Sequence, residues 1–253
     1  MTTLFRHLAD WQAARRGAEF SGRTVGFVPT MGALHAGHEA LLRRARAEND
    51  RVVLSVFVNP TQFDNIDDLA RYPRALETDL ELAGGLADAV LAPNPSEIYP
   101  DIYRYRVTEL EQSRLLEGAH RPGHFDGVLT VVMKLINLVQ PDRAYFGEKD
   151  WQQLELVRGM VRSLFMPVEI IPCPTVRDPD GLALSSRNAR LSPAGRARAL
   201  HLPRALRTAS DARAAARELE SAGLEVDYVE DHGGRRLGAV RVEGVRLIDN
   251  VRL

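Results

Sequence analysis

RTVGFVPTMGALHAGHEALLRRARAE, running from Arg23 to Glu48, is the stretch on which the fold turns. Arg23–Val28 predicts a strand that breaks at Pro29, and residues 37–48 predict a helix, with a Gly- and Pro-punctuated turn between them. The same order repeats outward. Arg51–Val58 (RVVLSVFV) reads as a buried strand, residues 74–82 as a helix and Asp88–Leu91 as a short strand. Phe125–Val139 is strongly apolar and too long for a strand, so it is expected as a buried helix. Asp142–Phe146, Trp151–Leu164 and Val168–Ile171 continue as strand, helix and strand. Upstream, Leu4, Phe5, Leu8 and Trp11 recur at helical spacing and predict an amphipathic helix over 3–16.

Strands alternating with helices of ten or more residues imply βαβ units with right-handed crossovers. The expected class is α/β, a Rossmann-like parallel sheet with helices on both faces. From Pro172 the texture changes. PCPTVRDPDG is rich in turn formers, a basic, alanine-rich helical stretch follows at Pro193–Glu220, and short alternating runs lie near Val226–Glu230 and Val240–Ile248. This predicts a small α+β C-terminal domain, with a larger domain at 1–175 and the second at 176–253. There is no internal repeat and no low-complexity tract.

The chain has 253 residues, 45% hydrophobic and 26% charged, which is enough to bury a sizeable core in one large domain or two modest ones. A net charge of −1 argues against a protein that coats a nucleic-acid backbone. Cys173 is the single cysteine, which excludes an internal disulfide framework and a multi-thiolate zinc site and fits a reducing, cytoplasmic setting. The N-terminal MTTLFRHLADWQAARRG carries charges through its first turns and does not read as a signal peptide. No run of 18 apolar residues occurs, so no membrane span is expected. Of 33 lysines and arginines only two are lysines, Lys134 and Lys149. A generic surface cation is therefore written as Arg here. A position that keeps Lys either needs a compact ammonium or has kept it by chance.

Four segments could carry chemistry. Pro29–His38 follows a strand and opens a helix, whose unpaired N–H groups and partial positive charge attract phosphate. Gly32 and Gly37 allow close backbone approach, and His35 and His38 can face one ligand and donate to phosphate oxygens. The plain alternative is a helix cap with two incidental histidines, and a metal site would need further ligands. Asn59-Pro60-Thr61-Gln62-Phe63 offers amides suited to a small hydroxylated acid, although an Asn-Pro turn after a strand is ordinary. Asp79, beyond Tyr72-Pro73-Arg74, could equally be a surface helix residue. Phe146–Gln153 places Lys149 between Glu148 and Asp150, either to neutralise phosphate charge or as a local ion-pair cluster. Asp180–Asn188 combines Ser185 and Ser186 with Arg187, a phosphate clamp or a capping serine pair beside a surface arginine. The first three segments lie just beyond carboxyl ends of expected strands, the edge where ligands bind in open α/β sheets.

His35-Ala-Gly-His38 resembles the HIGH-type signature of class I aminoacyl-tRNA synthetases and related nucleotidyltransferases. PTMGALHAGH, VFVNPTQF, YPR, RPGHFDGVLTVV, YFGEKDWQQL and DGLALSSRN, in order from Thr24 to Asn188, together resemble the pantothenate synthetases, the pantoate–β-alanine ligases. The resemblance implies a cytoplasmic, homodimeric enzyme with small-molecule substrates, ATP with Mg²⁺, pantoate and β-alanine, acting through a pantoyl adenylate. It gives His35, His38 and Lys149 catalytic roles. Thr30, Met31, His38, Gly147, Lys149, Asp150, Val176, Ser185, Ser186 and Arg187 are implied around ATP, Gln62 and Gln153 on pantoate, and Asp79 on Mg²⁺. Ser185–Arg187 would be a mobile phosphate-binding loop and the C-terminal domain a lid.

Two departures stand out. Thr78 sits beside Asp79 where some relatives carry a second acid, and the region after Asn188 looks shorter than is usual. The rivals are a HIGH-type nucleotidyltransferase acting on a phosphorylated acceptor, disfavoured by the uncharged amides of NPTQF and EKDWQQ, and a catalytically silent nucleotide-binding module. A tRNA synthetase is disfavoured because the chain has no room for an anticodon-binding domain. No nucleic-acid or membrane partner is expected.

Overall fold

The computed structural model describes residues 2–64 and 66–253. It divides into two units, Met1–Gly147 with Gln152–Cys173, and Glu148–Trp151 with Pro174–Leu253. Residues 148–151, expected in the first domain, thus group with the C-terminal residues.

The first unit is built on six strands: β1 (Thr3–Phe5), β2 (Val25–Thr30), β3 (Arg51–Val56), β4 (Ala89–Leu91), β5 (Arg143–Gly147) and β6 (Glu169–Cys173). All pairs are parallel, in the order β1-β4-β3-β2-β5-β6. Sequence order runs outward from β2 through β3 to β4 on one side and through β5 to β6 on the other. The topological switch point therefore lies between β2 and β5. On one face Val28, Val52, Leu54, Val90 and Tyr145 pack with Leu41, Leu42 and Ala45 of the helix Ala36–Glu48. Phe27, Val53 and Ala144 alternate to the opposite face and are just as buried. With both faces covered, the central strands β2, β3 and β5 read as near-continuous apolar runs, which is why they were visible in the sequence.

Two expectations are corrected. Residues 3–16 are not one helix: Thr3–Phe5 form an edge strand in register with Ala89–Leu91, and the helix occupies Leu8–Arg16. The strand's partner lies far along the chain, where local periodicity carries no trace of it. β2 also runs through Pro29 to Thr30. Its ladder to β5 is confined to Gly26 and Phe27, so the missing Pro29 N–H interrupts nothing on that side.

Lys134 proves to have a structural use. Its ammonium donates to Ile98 O at 3.0 Å and to Asp101 at 3.1 Å, and lies 5.0 Å from the Tyr99 ring centroid. Such convergent contacts suit a compact cation better than a planar fork.

In the second unit three antiparallel strands, β7 (Glu225–His232), β8 (Arg235–Val242) and β9 (Val245–Arg252), stand in sequence order. Both connections are two-residue turns with positive φ at each residue, Gly233-Gly234 and Glu243-Gly244, the conformation that matches strand twist. The expected run Val240–Ile248 therefore spans two strands and a turn. The helical stretch resolves into Pro193–Ala199, His201–Thr208 and Ala212–Ser221. Their Leu202, Leu206 and Leu219 pack on Val240, Val242, Val245 and Leu247.

Candidate active site

In the first unit the turn after β2 lies at the switch point, and its shape comes from three sets of contacts. Thr30 Oγ1 donates to Ser55 O at 2.7 Å and accepts the Gly32 N–H at 3.2 Å. Gly32 and Ala33 both take positive φ, 82° and 51°. A β-carbon at Gly32 would lie 2.8 Å from Asp79 Oδ2 and 2.9 Å from a Val56 methyl, so the position admits only glycine. Asp79, 2% exposed, accepts the Ala33 N–H on Oδ2 at 3.1 Å and the Leu34 N–H on Oδ1 at 2.7 Å. Met31 is half-buried on the same turn.

Asp79 was expected at a metal. The structure instead commits both its oxygens to backbone amides of the histidine-bearing turn. Among the described residues no group of three or more His, Cys, Asp or Glu side chains is placed to hold a metal ion. Each Asp79 oxygen thus already accepts one backbone N–H, and Thr78 beside it is exposed.

His35 caps the helix Ala36–Glu48. Its Nδ1 accepts the Gly37 N–H at 3.1 Å, and His38 Nδ1 accepts the His35 N–H at 3.3 Å. The ring centroids are 4.1 Å apart. Both Nδ1 atoms are acceptors, so each neutral ring carries its proton on Nε2, the tautomer that can donate to an anion. The helix N-terminus adds partial positive charge at the same place.

Gln62 follows β3 in a short 3₁₀ turn, Pro60–Gln62, and is held from two sides. Its side-chain Oε1 accepts from Asn59 Nδ2 at 3.0 Å, while its backbone carbonyl accepts from His124 Nδ1 at 2.8 Å and Arg121 at 3.2 Å. Asn59 also donates to Gly127 O at 3.1 Å and accepts from the Tyr99 hydroxyl at 2.7 Å. Burial pushes the Tyr99 phenol up to about 12, so it stays a donor. Gly127, inside the helix His124–Val139, lets that helix approach. A β-carbon there would be 2.4 Å from Thr61 O. Burial first, then the Arg121 charge, hold the His124 imidazolium form down, with a pKa of about 4. Neutral His124 donates from Nδ1 and accepts from Arg121 on Nε2, 3.1 Å away. His124 lay within a quoted motif, but its role was not foreseen.

The two neighbouring glutamines separate cleanly. Gln152 is buried and structural, accepting the Glu117 N–H and donating to Gln112 O and Leu115 O. Gln153 is half-buried. At Gly147, the last residue of β5, a β-carbon would meet no atom within 4 Å, so packing does not require glycine.

In the second unit, Lys149 and Asp150 stand in a 3₁₀ turn, Glu148–Asp150, with Lys149 Nζ 3.5 Å from Asp150. The segment 176–184 folds back on itself: Val176 O accepts the Leu184 N–H at 3.0 Å, and Arg177 bridges Ala183. It delivers Ser185, whose Oγ accepts the Arg187 N–H at 3.2 Å and caps the 3₁₀ turn Ser186–Arg190. Ser185, Ser186 and Arg187 are all half-buried. Sequence reasoning missed Arg235, Asp249 and Asn250, buried polar residues of this unit.

The comparisons with known proteins agree with one another. A family model described as pantoate-beta-alanine ligase matches residues 3–252. A curated pantothenate synthetase from Bdellovibrio bacteriovorus is 56% identical over 254 residues, covering 100% of both chains. One from Legionella pneumophila is 50% identical with 98% of each chain covered. The compact region after Asn188 is thus shared with such relatives. Among solved structures, the pantoate-beta-alanine ligase of Francisella tularensis, complexed with beta-gamma ATP and beta-alanine, superposes with a TM-score of 0.94 at 39% identity, covering 100% of this chain and 98% of that one. The pantothenate synthetase of Thermus thermophilus gives 0.89 at 46%, covering 99% of each.

Proposed function

The chain belongs to the pantoate–β-alanine ligase family, and from that premise we propose that it joins pantoate to β-alanine in an ATP-dependent ligation. A pantoate carboxylate oxygen attacks the α-phosphorus of ATP, the bond to the β-phosphate oxygen breaks, and pyrophosphate leaves. The β-alanine amine then attacks the acyl carbon of pantoyl adenylate, AMP departs with the carbon–oxygen bonding pair, and the amine proton passes to solvent. Free carboxylate is a poor acylating agent, and the first step supplies the leaving group.

The observation that carries this reading is the placement of the histidine pair, whose Nδ1 atoms both accept backbone N–H groups at the start of the helix. With both Nδ1 atoms accepting backbone N–H groups, His35 and His38 present Nε2–H donors at a helix N-terminus on the switch point. Those donors suit ATP phosphate oxygens whose charge grows during adenylation, where losing one typically costs about 2.7–4 kcal/mol.

Thr30 and Met31 line the nucleotide side of the same turn, and Gly147 admits the nucleotide where a side chain would intrude. Gln62 and Gln153 hold pantoate. The Oε1 end of Gln62 is taken by Asn59, so its amide N–H is the donor a hydroxyl or carboxylate oxygen meets. Lys149 bridges pantoate carboxylate and phosphate, Asp150 takes the ribose, Val176 borders it, and Ser185, Ser186 and Arg187 close on the phosphates. Mg²⁺ enters as part of the substrate, on the phosphates of ATP. The C-terminal unit serves as the lid, and the enzyme works as a cytoplasmic homodimer.

The test is pantoate-dependent exchange of labelled pyrophosphate into ATP, followed by β-alanine-dependent AMP release. Exchange without pantoate, or with a phosphorylated acceptor in its place, would overturn the ligase reading.

A further inference from the structure

The turn that carries Lys149 is held by the last strand of the chain. Asn250 of β9 is 3% exposed, and its Nδ2 donates to two successive carbonyls, Glu148 O at 2.8 Å and Lys149 O at 2.9 Å. Its Oδ1 accepts from Arg235 at 2.7 Å. Arg235, 6% exposed, turns its other guanidinium nitrogen to Glu148 Oε2 at 2.6 Å and lies 3.8 Å from the centroid of the Trp151 ring. The turn is therefore gripped at the backbone of residues 148 and 149 and at the side chains of residues 148 and 151. Every polar group of the Asn250 side chain has a partner, the condition under which a buried network fixes a single geometry.

The neighbouring residue does the same for the other phosphate-side segment. Asp249 accepts two bonds from Arg177, at 2.7 and 2.9 Å, and the Asn250 N–H at 2.8 Å. Arg177 stands at the base of the folded-back segment that delivers Ser185–Arg187 and also donates to Gly181 O at 3.1 Å. One dipeptide of β9 thus fastens both segments within the second unit. A 3₁₀ turn three residues long has little rigidity of its own.

We infer that Asn250, backed by Arg235, is a positioning residue for Lys149 in adenylation. This rests on the reading of Lys149 as the ammonium that bridges carboxylate and phosphate. Asn250 does not touch substrate. It fixes the backbone from which the lysine side chain springs, and misplacing a reacting group by about 1 Å can cost roughly a hundred-fold in rate.

The test is a double-mutant cycle read by pyrophosphate exchange at saturating substrates, with thermal midpoints recorded throughout. In Asn250→Asp the acceptor for Arg235 remains, but a carboxylate cannot donate to the two carbonyls. Exchange should fall by roughly ten-fold or more in the wild-type background and by less than about two-fold in Lys149→Ala, because the group being positioned is already gone. If Asn250→Asp does not fold, Arg235→Lys is put through the same cycle, since an ammonium cannot span Asn250 and Glu148 together. Equal losses in both backgrounds would show a general structural role and overturn the inference, as would wild-type exchange in a folded Asn250→Asp. A Lys149→Ala enzyme with wild-type exchange would instead overturn the reading of Lys149, and the inference with it.

Discussion

Asp79 Oδ1 accepts the Leu34 amide at 2.7 Å while Oδ2 accepts that of Ala33, so one buried carboxylate sets the turn from which His35 and His38 project. Removing it leaves two N–H groups without their acceptor, at about 1–3 kcal/mol each where water cannot replace it. Asp79→Ala should lower the thermal midpoint and cut adenylation roughly ten-fold or more, with Asp79→Asn intermediate because its amide keeps one acceptor oxygen. The Mg²⁺ concentration for half-maximal exchange should be unchanged in both. A marked rise in that concentration would restore Asp79 to the metal and remove it from the clasp.

Gly147 gives a cleaner separation of binding from stability. A methyl group there meets no atom of the described chain within 4 Å, and the residue lies outside the positive-φ region where a side chain is strained. Gly147→Ala should therefore leave the thermal midpoint unchanged and raise the KM for ATP several-fold by standing where the nucleotide comes close. Unchanged ATP kinetics would mean the glycine has no part in the site.

How much of this was legible depended on where each residue finds its partners. β2, β3 and β5 announced themselves because sheet burial on two faces leaves apolar runs. β1 did not, because nothing local marks a three-residue strand at the sheet edge. The histidine pair, Gln62 and Lys149 stand out in the sequence because their chemistry, not their packing, is unusual for the place. The turn-holding parts of Asp79, His124 and Asn250 were not legible for the converse reason. Each satisfies backbone groups of a distant turn, and a backbone N–H or C=O leaves no mark on the sequence. The turns Gly233-Gly234 and Glu243-Gly244 did leave a mark, and reading them as hairpin connections would have recovered three strands from the two alternating runs.

His124 makes stability depend on pH over a defined window. Its folded pKa, about 4, lies below its ordinary 6.5. The unfolded chain therefore takes up a proton before the folded one does. The native state is undisturbed above pH 6.5 and loses stability as pH falls through the interval toward 4, by on the order of 3 kcal/mol at most. Protonation would also set an Nε2–H against the Arg121 guanidinium that now donates to it. Urea midpoints measured between pH 7.5 and 4.5 should fall more steeply for the wild type than for His124→Asn, which keeps a donor for Gln62 O but does not titrate. Parallel curves would show that His124 contributes nothing to the slope.

Gly127 packs against the turn that carries Gln62. In Gly127→Ala the new methyl would sit 2.4 Å from Thr61 O and 2.7 Å from Gln62 N, both backbone atoms that cannot rotate away. Either the helix His124–Val139 or the turn Pro60–Gln62 has to shift. Overpacking of this kind typically costs about 1–3 kcal/mol. The turn is the smaller element, and moving it strains the Asn59–Gln62 link that fixes the Gln62 amide. The expected result is a thermal midpoint lower by several degrees and a KM for pantoate raised at least several-fold, with the KM for ATP little altered. An equal rise in both would place the disturbance at the histidine turn. A fall in midpoint with normal pantoate kinetics would detach Gln62 from the substrate.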